Sequence, residues 1–260
     1  IDDEGALAAA RAADAAHAAG KLLGPLHGVP LAHKDMYYRT GEVTSCGSEV
    51  RRAYRPTTTA TLLERLQGAG AVTIGRLNMT EFALGPTGHN AVWGDCRNPW
   101  NTAHVPCGSS SGSGAAVAAR TVFASLGSDT GGSTRLPASA NGVVGIKPTH
   151  SLLSRHGVMG LSFSVDTPGP IARTAADLAR VLKVVAGHDT RDPTSSSRAV
   201  PDYEAVLNRS IAGLRIGIPT NYFSEAVDPV IAAAIEDAIA VLELHGARRV
   251  SVRVSLAEHM

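Results

Sequence analysis

The sequence predicts an α/β protein, and three features of its 260 residues carry that expectation. Amphipathic helical stretches alternate with short apolar runs bounded by Gly and Pro, the succession that packs helices on a sheet. Hydrophobic residues make up 44% of the chain and charged ones 18%, enough for a sizeable core and too apolar for a disordered chain. The formal net charge is only +1, which argues against a nucleic-acid or membrane-surface partner held by bulk electrostatics.

Each element has its own local reason. Residues 3–20 are Ala-rich, with Asp3 placed to cap a helix and Gly20 to stop it. Gly28 to Ala32 is a short apolar run after turn residues, a strand pattern. Thr57 to Gln67 carries Leu62, Leu63 and Leu66 at helical spacing and ends at Gly68 and Gly70; Ala71 to Ile74 follows as a strand. Residues 85–112 show little periodicity and many Gly, Pro, Asn and Ser, and a loop that long inside a domain is usually functional. Gly114 to Arg120 reads as a small-residue helix and Val122 to Leu126 as a buried strand. Thr174 to Ala186 is an amphipathic helix with Leu178, Val181, Leu182 and Val185 on one face. Asp189 to Pro201 is polar and Ser-rich, a surface connection. Leu214 to Ile218 is a strand, Pro229 to Leu244 a helix with an apolar stripe, and Arg249 to Val254 an alternating strand. Elements that start and stop so close to the chain ends read as part of a larger α/β protein, organised as a single domain over 1–260.

No apolar run approaches the ~18 residues of a membrane span. Ile1-Asp2-Asp3-Glu4 has neither the basic nor the apolar region of a signal peptide. Cys46, Cys96 and Cys107 are too few and too scattered for a disulfide framework, so free thiols and a cytoplasmic location are expected.

Most catalytic motifs are absent. There is no H-E-x-x-H, and the ten histidines form no i,i+4 pair, so no metal site is expected. No Gly-Lys-Ser/Thr follows the Gly-rich stretch and no S-x-x-K occurs. Gly112-Ser113-Gly114-Ala115-Ala116-Val117 starts like a dinucleotide fingerprint but lacks the third small residue and a preceding strand. Gly108-Ser109-Ser110-Ser111-Gly112 fits the G-x-S-x-G elbow with Ser110 central, yet the elbow needs a buried strand before it and residues 98–106 read as loop.

One constellation survives: Lys34 after a short strand, a Ser-rich loop at 109–113, and Asp129-Thr130-Gly131-Gly132-Ser133 after another strand. A serine following two glycines at a strand end can have backbone N–H groups aimed at one point, which is how an oxyanion hole is built. Taken singly, a lysine is usually a solvated charge and a Gly-Ser cluster usually a flexible loop.

The stretches Pro106 to Ala119 and Gly127 to Ala138 resemble the amidase signature family. Supporting stretches, in the same order, are Gly28 to Asp35, Asn78 to Phe82, Arg97 to Trp100, Gly145 to Thr149 and Asp166 to Thr174. The likeness runs from about residue 1 to about residue 220. It implies a mixed β-sheet core covered by helices on both sides, and a Ser–cis-Ser–Lys triad. By motif, Ser133 is the nucleophile, Ser109 the serine after a cis peptide and Lys34 the base. The N–H groups of Thr130, Gly131, Gly132 and Ser133 would form the oxyanion hole, with Asp129 and Arg135 supporting the turn. Cys107 and Ser111 stand where the family's motif usually has glycines, and both are expected to be accommodated.

The resemblance further implies hydrolysis of a small-molecule amide through an acyl-enzyme, without cofactor or metal, by a free amidase or a homodimer of one. The alternative is the glutaminase component of an aspartyl/glutamyl-tRNA amidotransferase, which needs a partner chain. Lys34 must work neutral, so its pKa of ~10.4 has to fall to roughly 7–8 by burial. Family members continue for a C-terminal part that builds much of the acyl pocket. In this chain the site is therefore expected to be open, with water pushing the Lys34 pKa back up.

Overall fold

The computed structural model of the chain describes residues 3–223 and 225–255. These fall into two compact units, 1–207 and 208–260, each described by itself.

The first unit opens with helix α1 (Asp3–Ala18), after which Gly20 takes φ +70°, the left-handed turn that ends helices. Strand β1 (Pro30–Lys34), helix α2 (Thr61–Gly68) and strand β2 (Val72–Leu77) follow. Helix α2 starts four residues later than the sequence pattern suggests. The Ala60 N–H is drawn off to the Tyr38 carbonyl (2.8 Å), which holds that residue extended. Next come helix α3 (Ser111–Ala118), strand β3 (Ala124–Asp129), helix α4 (Arg135–Ala140), strands β4 (Val144–Gly145) and β5 (Thr167–Ala172), and helix α5 (Ala175–Val185). Thr174 caps α5 by accepting from the Asp177 N–H (3.1 Å), and the predicted stripe of Leu178, Val181, Leu182 and Val185 is buried.

The strands form one mixed sheet in the order β2-β1-β3-β5-β4. Strand β1 runs parallel to β2 and β3; β5 runs antiparallel to β3 and β4. Adjacent strand residues face opposite sides. Leu31 and Ala172 accordingly join Leu62, Leu66, Leu178 and Leu182 of α2 and α5 in one core. Their neighbours Ala32 and Ile171 pack with Val117 of α3 in another. The sheet thus carries helices on both faces, as the resemblance implied.

Helix α3 begins at Ser111, three residues before the expected Gly114. Small residues permit that close start: a Cβ on Gly112 would lie 2.7 Å from the Asn78 carbonyl oxygen. The polar 189–201 segment is not wholly a surface connection. Asp189 and Asp192 are buried, and the Asp189 carboxylate accepts from Thr61 and from Ser154 (2.6 Å), anchoring the segment to α2.

The second unit holds strand β6 (Arg215–Pro219), helix α6 (Pro229–Leu244) and strand β7 (Arg248–Val252), the two strands pairing in parallel. Helix α6 has the expected bounds. Asp228 accepts from the Val230 N–H (2.8 Å), and Pro229 occupies the first turn, where its missing N–H leaves no gap. No helix of the described residues is long and apolar enough to cross a membrane.

Candidate active site

Lys34 ends β1, an interior strand, and its side chain is wholly buried (0% exposed). Its Nζ lies 2.7 Å from Ser109 Oγ and 2.8 Å from Ser128 Oγ. Burial pushes the Lys34 pKa down from its ordinary 10.5 to about 7, against the opposing pull of Asp129, Asp166 and Cys46. Amine and ammonium are therefore comparably populated near neutrality. The open surroundings expected around the base are not found: the Lys34 and Ser109 side chains are both fully buried.

The long loop before α3 delivers Ser109. The Gly108–Ser109 peptide is cis, and Gly108 is a tight fit, since a Cβ there would lie 2.7 Å from Thr80 Oγ1 and 2.8 Å from Gly88 N. The Thr80 N–H donates to the Ser109 carbonyl (3.1 Å). Cys107 sits at φ +58°, a left-handed conformation that favours glycine, which gives a physical reason for glycine in the related motif.

Ser133 lies in the turn between β3 and α4, half-buried, its carbonyl accepting from the Ser110 N–H (3.2 Å). That turn is organised around the buried Asp129 carboxylate. It accepts from the N–H groups of Gly132 (2.8 Å), Thr134 (3.2 Å) and Arg135 (3.3 Å), and from Arg135 Nε (3.0 Å) and Nη2 (2.9 Å). Burial acts to raise the Asp129 pKa, but the Arg135 side chain and the N–H donors overcome it and hold it below the usual carboxylate range. Asp129 and Arg135 thus fix the strand-end turn.

The four amides expected to bind an oxyanion are not equivalent. The Gly132 N–H is committed to Asp129, whereas among the described residues no protein group accepts from the N–H of Thr130, Gly131 or Ser133. The Thr130 hydroxyl donates to Asp166 (2.6 Å), tying this turn to the 161–166 segment.

Ser110 has a different place from that of an elbow nucleophile. Buried just before α3, its Oγ donates to the Ser128 carbonyl and accepts from the Ser128 N–H, each at 3.2 Å. Ser128 itself escaped the sequence reading; its only signal is its position directly before Asp129 at a strand end. Tyr37 was missed too: it is fully buried and donates to the Gly127 carbonyl (2.5 Å). His33 points to structure rather than ligation, since burial pushes its pKa down to about 4 and its Nδ1 lies 3.1 Å from the Lys34 carbonyl. Among the described residues no group of three or more His, Cys, Asp or Glu could hold a metal ion. Beside Ser128 a cavity of about 340 Å³ is lined by Met36, Met159, Leu161, Phe163, Arg155 and Asp166.

A family model described as Amidase matches residues 1–260. A glutamyl-tRNA(Gln) amidotransferase component from Chloroflexus aggregans is 49% identical over 252 residues, covering 97% of this chain and 52% of that protein. The native peptide amidase of Stenotrophomonas maltophilia superimposes with a TM-score of 0.87 at 42% identity, over 95% of this chain and 52% of that one. The corresponding glutamyl-tRNA(Gln) amidotransferase component from Thermotoga maritima gives 0.86 at 37% identity, over 89% and 51%. The chain spans about half the length of the curated relatives it matches.

Proposed function

Because the chain belongs to the amidase family, we propose that it hydrolyses a carboxamide through a Ser133 acyl-enzyme, with Ser109 and Lys34 relaying the proton. The observation that carries this reading is the buried 2.7 Å contact between Lys34 Nζ and Ser109 Oγ, made by an amine whose burial favours the neutral form. Ser133 Oγ attacks the carbonyl carbon and its proton passes to Ser109, whose own proton passes to Lys34. The developing oxyanion takes the open N–H groups of Thr130, Gly131 and Ser133, each such donor being worth about 3–4 kcal/mol of barrier. Collapse of the tetrahedral species expels ammonia or an amine, which takes the proton back through Ser109. Water then repeats the relay on the acyl-enzyme and releases a carboxylate. The cavity beside Ser128, mostly apolar with Arg155 and Asp166 on its wall, suits a small amide with an apolar flank.

A second reading is supported by the 49% identity to a glutamyl-tRNA(Gln) amidotransferase component. It keeps the same chemistry with glutamine as substrate and a partner chain, in place of the homodimer considered for a free amidase. Ammonia release from simple amides and from glutamine, with and without a tRNA-binding partner, separates the two. Absence of any fluorophosphonate adduct on Ser133 in the intact protein would overturn both.

A further inference from the structure

Lys34, Ser109, Ser110 and Ser128 close a ring. Lys34 Nζ touches the hydroxyls of Ser109 (2.7 Å) and Ser128 (2.8 Å); Ser110 follows Ser109 in the chain and holds both main-chain groups of Ser128. All four side chains are buried, Ser128 at 4% exposure and the others at 0%.

A neutral amine has one lone pair and two N–H bonds. To act as base on Ser109, its lone pair must face the Ser109 hydroxyl, and an N–H must then find an acceptor elsewhere. Ser128 Oγ is in place to accept it. The charged and titratable groups acting on Lys34 are Asp129, Asp166 and Cys46, none of which is in hydrogen-bond contact with Nζ.

We propose that Ser128 is a positioning residue for the proposed base: by accepting one N–H of the neutral Lys34 amine, it holds the lone pair on Ser109. This inference rests on the function proposed above. Ser128 takes no proton in the relay; it acts through Lys34. It also has a second effect of opposite sense. The same oxygen favours the ammonium form, because a hydrogen bond from a charged donor is stronger than one from a neutral donor. Removing it lowers the Lys34 pKa while leaving the neutral amine free to rotate.

The test is the rate of fluorophosphonate labelling at Ser133, read by intact mass from about pH 5 to about pH 9, for the wild type, Ser128→Ala, Ser128→Cys and Ser128→Thr. Cysteine keeps the volume with a weak acceptor, and carries the test if the alanine variant does not fold. Both are expected to move the acidic limb down by about one pH unit while the plateau rate falls about tenfold. Threonine, which retains the hydroxyl, is expected to restore both. Normal labelling in the wild type with either an unmoved limb or an unchanged plateau in the alanine and cysteine variants overturns the inference alone. No labelling in the wild type overturns the proposed function and this inference with it.

Discussion

Ser110 grips both main-chain groups of Ser128, its Oγ accepting from the N–H and donating to the carbonyl at 3.2 Å each. A serine so occupied is a pin between α3 and β3. Ser110→Ala is expected to lower stability by about 1–3 kcal/mol, because two buried main-chain groups lose a partner, while the probe adduct still forms on Ser133. Thermal melting and peptide mapping of the adduct check both halves; an adduct on Ser110 in the wild type would instead restore the elbow reading.

Ser133→Ala is expected to abolish acyl-enzyme formation without disturbing the fold. Its side chain is half-buried, and its main-chain bond to the Ser110 N–H survives the change. Loss of labelling with an unchanged melting temperature is the expected outcome.

Lys34→Met removes the base and keeps the stem that fills the core. Turnover at neutral pH is expected to vanish, and the wild type should show an acidic limb near pH 7, where burial has put the Lys34 pKa. Stability moves the other way. The folded-state pKa lies below the ordinary 10.5, so the unfolded chain binds more protons between about pH 7 and about 10.5, and wild-type stability from this group rises with pH across that window. The methionine variant is therefore expected to gain most over the wild type below about pH 7, progressively less as pH rises, and least above about pH 10.5, which melting curves across pH resolve.

Asp129→Asn tests the turn. The carboxylate receives three N–H groups and the Arg135 guanidinium, and its lowered pKa means that its contribution is present above the unfolded value and is lost as pH falls through the folded one. The variant is expected to lose about 2–3 kcal/mol at neutral pH and to label Ser133 at least about tenfold more slowly, as the open amides of Thr130 and Gly131 lose their fixed direction. Unchanged melting at pH 7 would remove Asp129 from this role.

The residues proposed for the triad, Lys34, Ser109 and Ser133, are legible as motif because each follows a recognisable local pattern. Ser128 is not, since a serine at a strand end has no mark until the sheet brings it against a lysine 94 positions away. Strand β5 was invisible for a different reason. Thr167-Pro168-Gly169-Pro170-Ile171-Ala172 holds two prolines and a glycine, which argue against an interior strand. The structure resolves the conflict through alternation. The Pro170 carbonyl accepts from the Ile146 N–H (3.3 Å), so the prolines direct their main chain toward the short β4 side. All six β5 residues lie opposite β3 in register, and alternation leaves Thr167, Gly169 and Ile171 to offer their N–H groups to it. Helix starts were less legible than helix bodies: α2 and α3 begin where tertiary hydrogen bonds and close backbone approach allow, not where periodicity begins.

The parallel pairing of β1 with β3 spans more than ninety residues of intervening chain. Such closure is slow compared with local helix formation. During biosynthesis Lys34 leaves the ribosome long before its serine partners exist, and it waits in water as an ordinary ammonium. Only when the two strands zip together does it become shielded and acquire its altered proton affinity. Its susceptibility to amine-modifying reagents in a refolding time course therefore serves as a clock for this long-range closure, independent of any substrate.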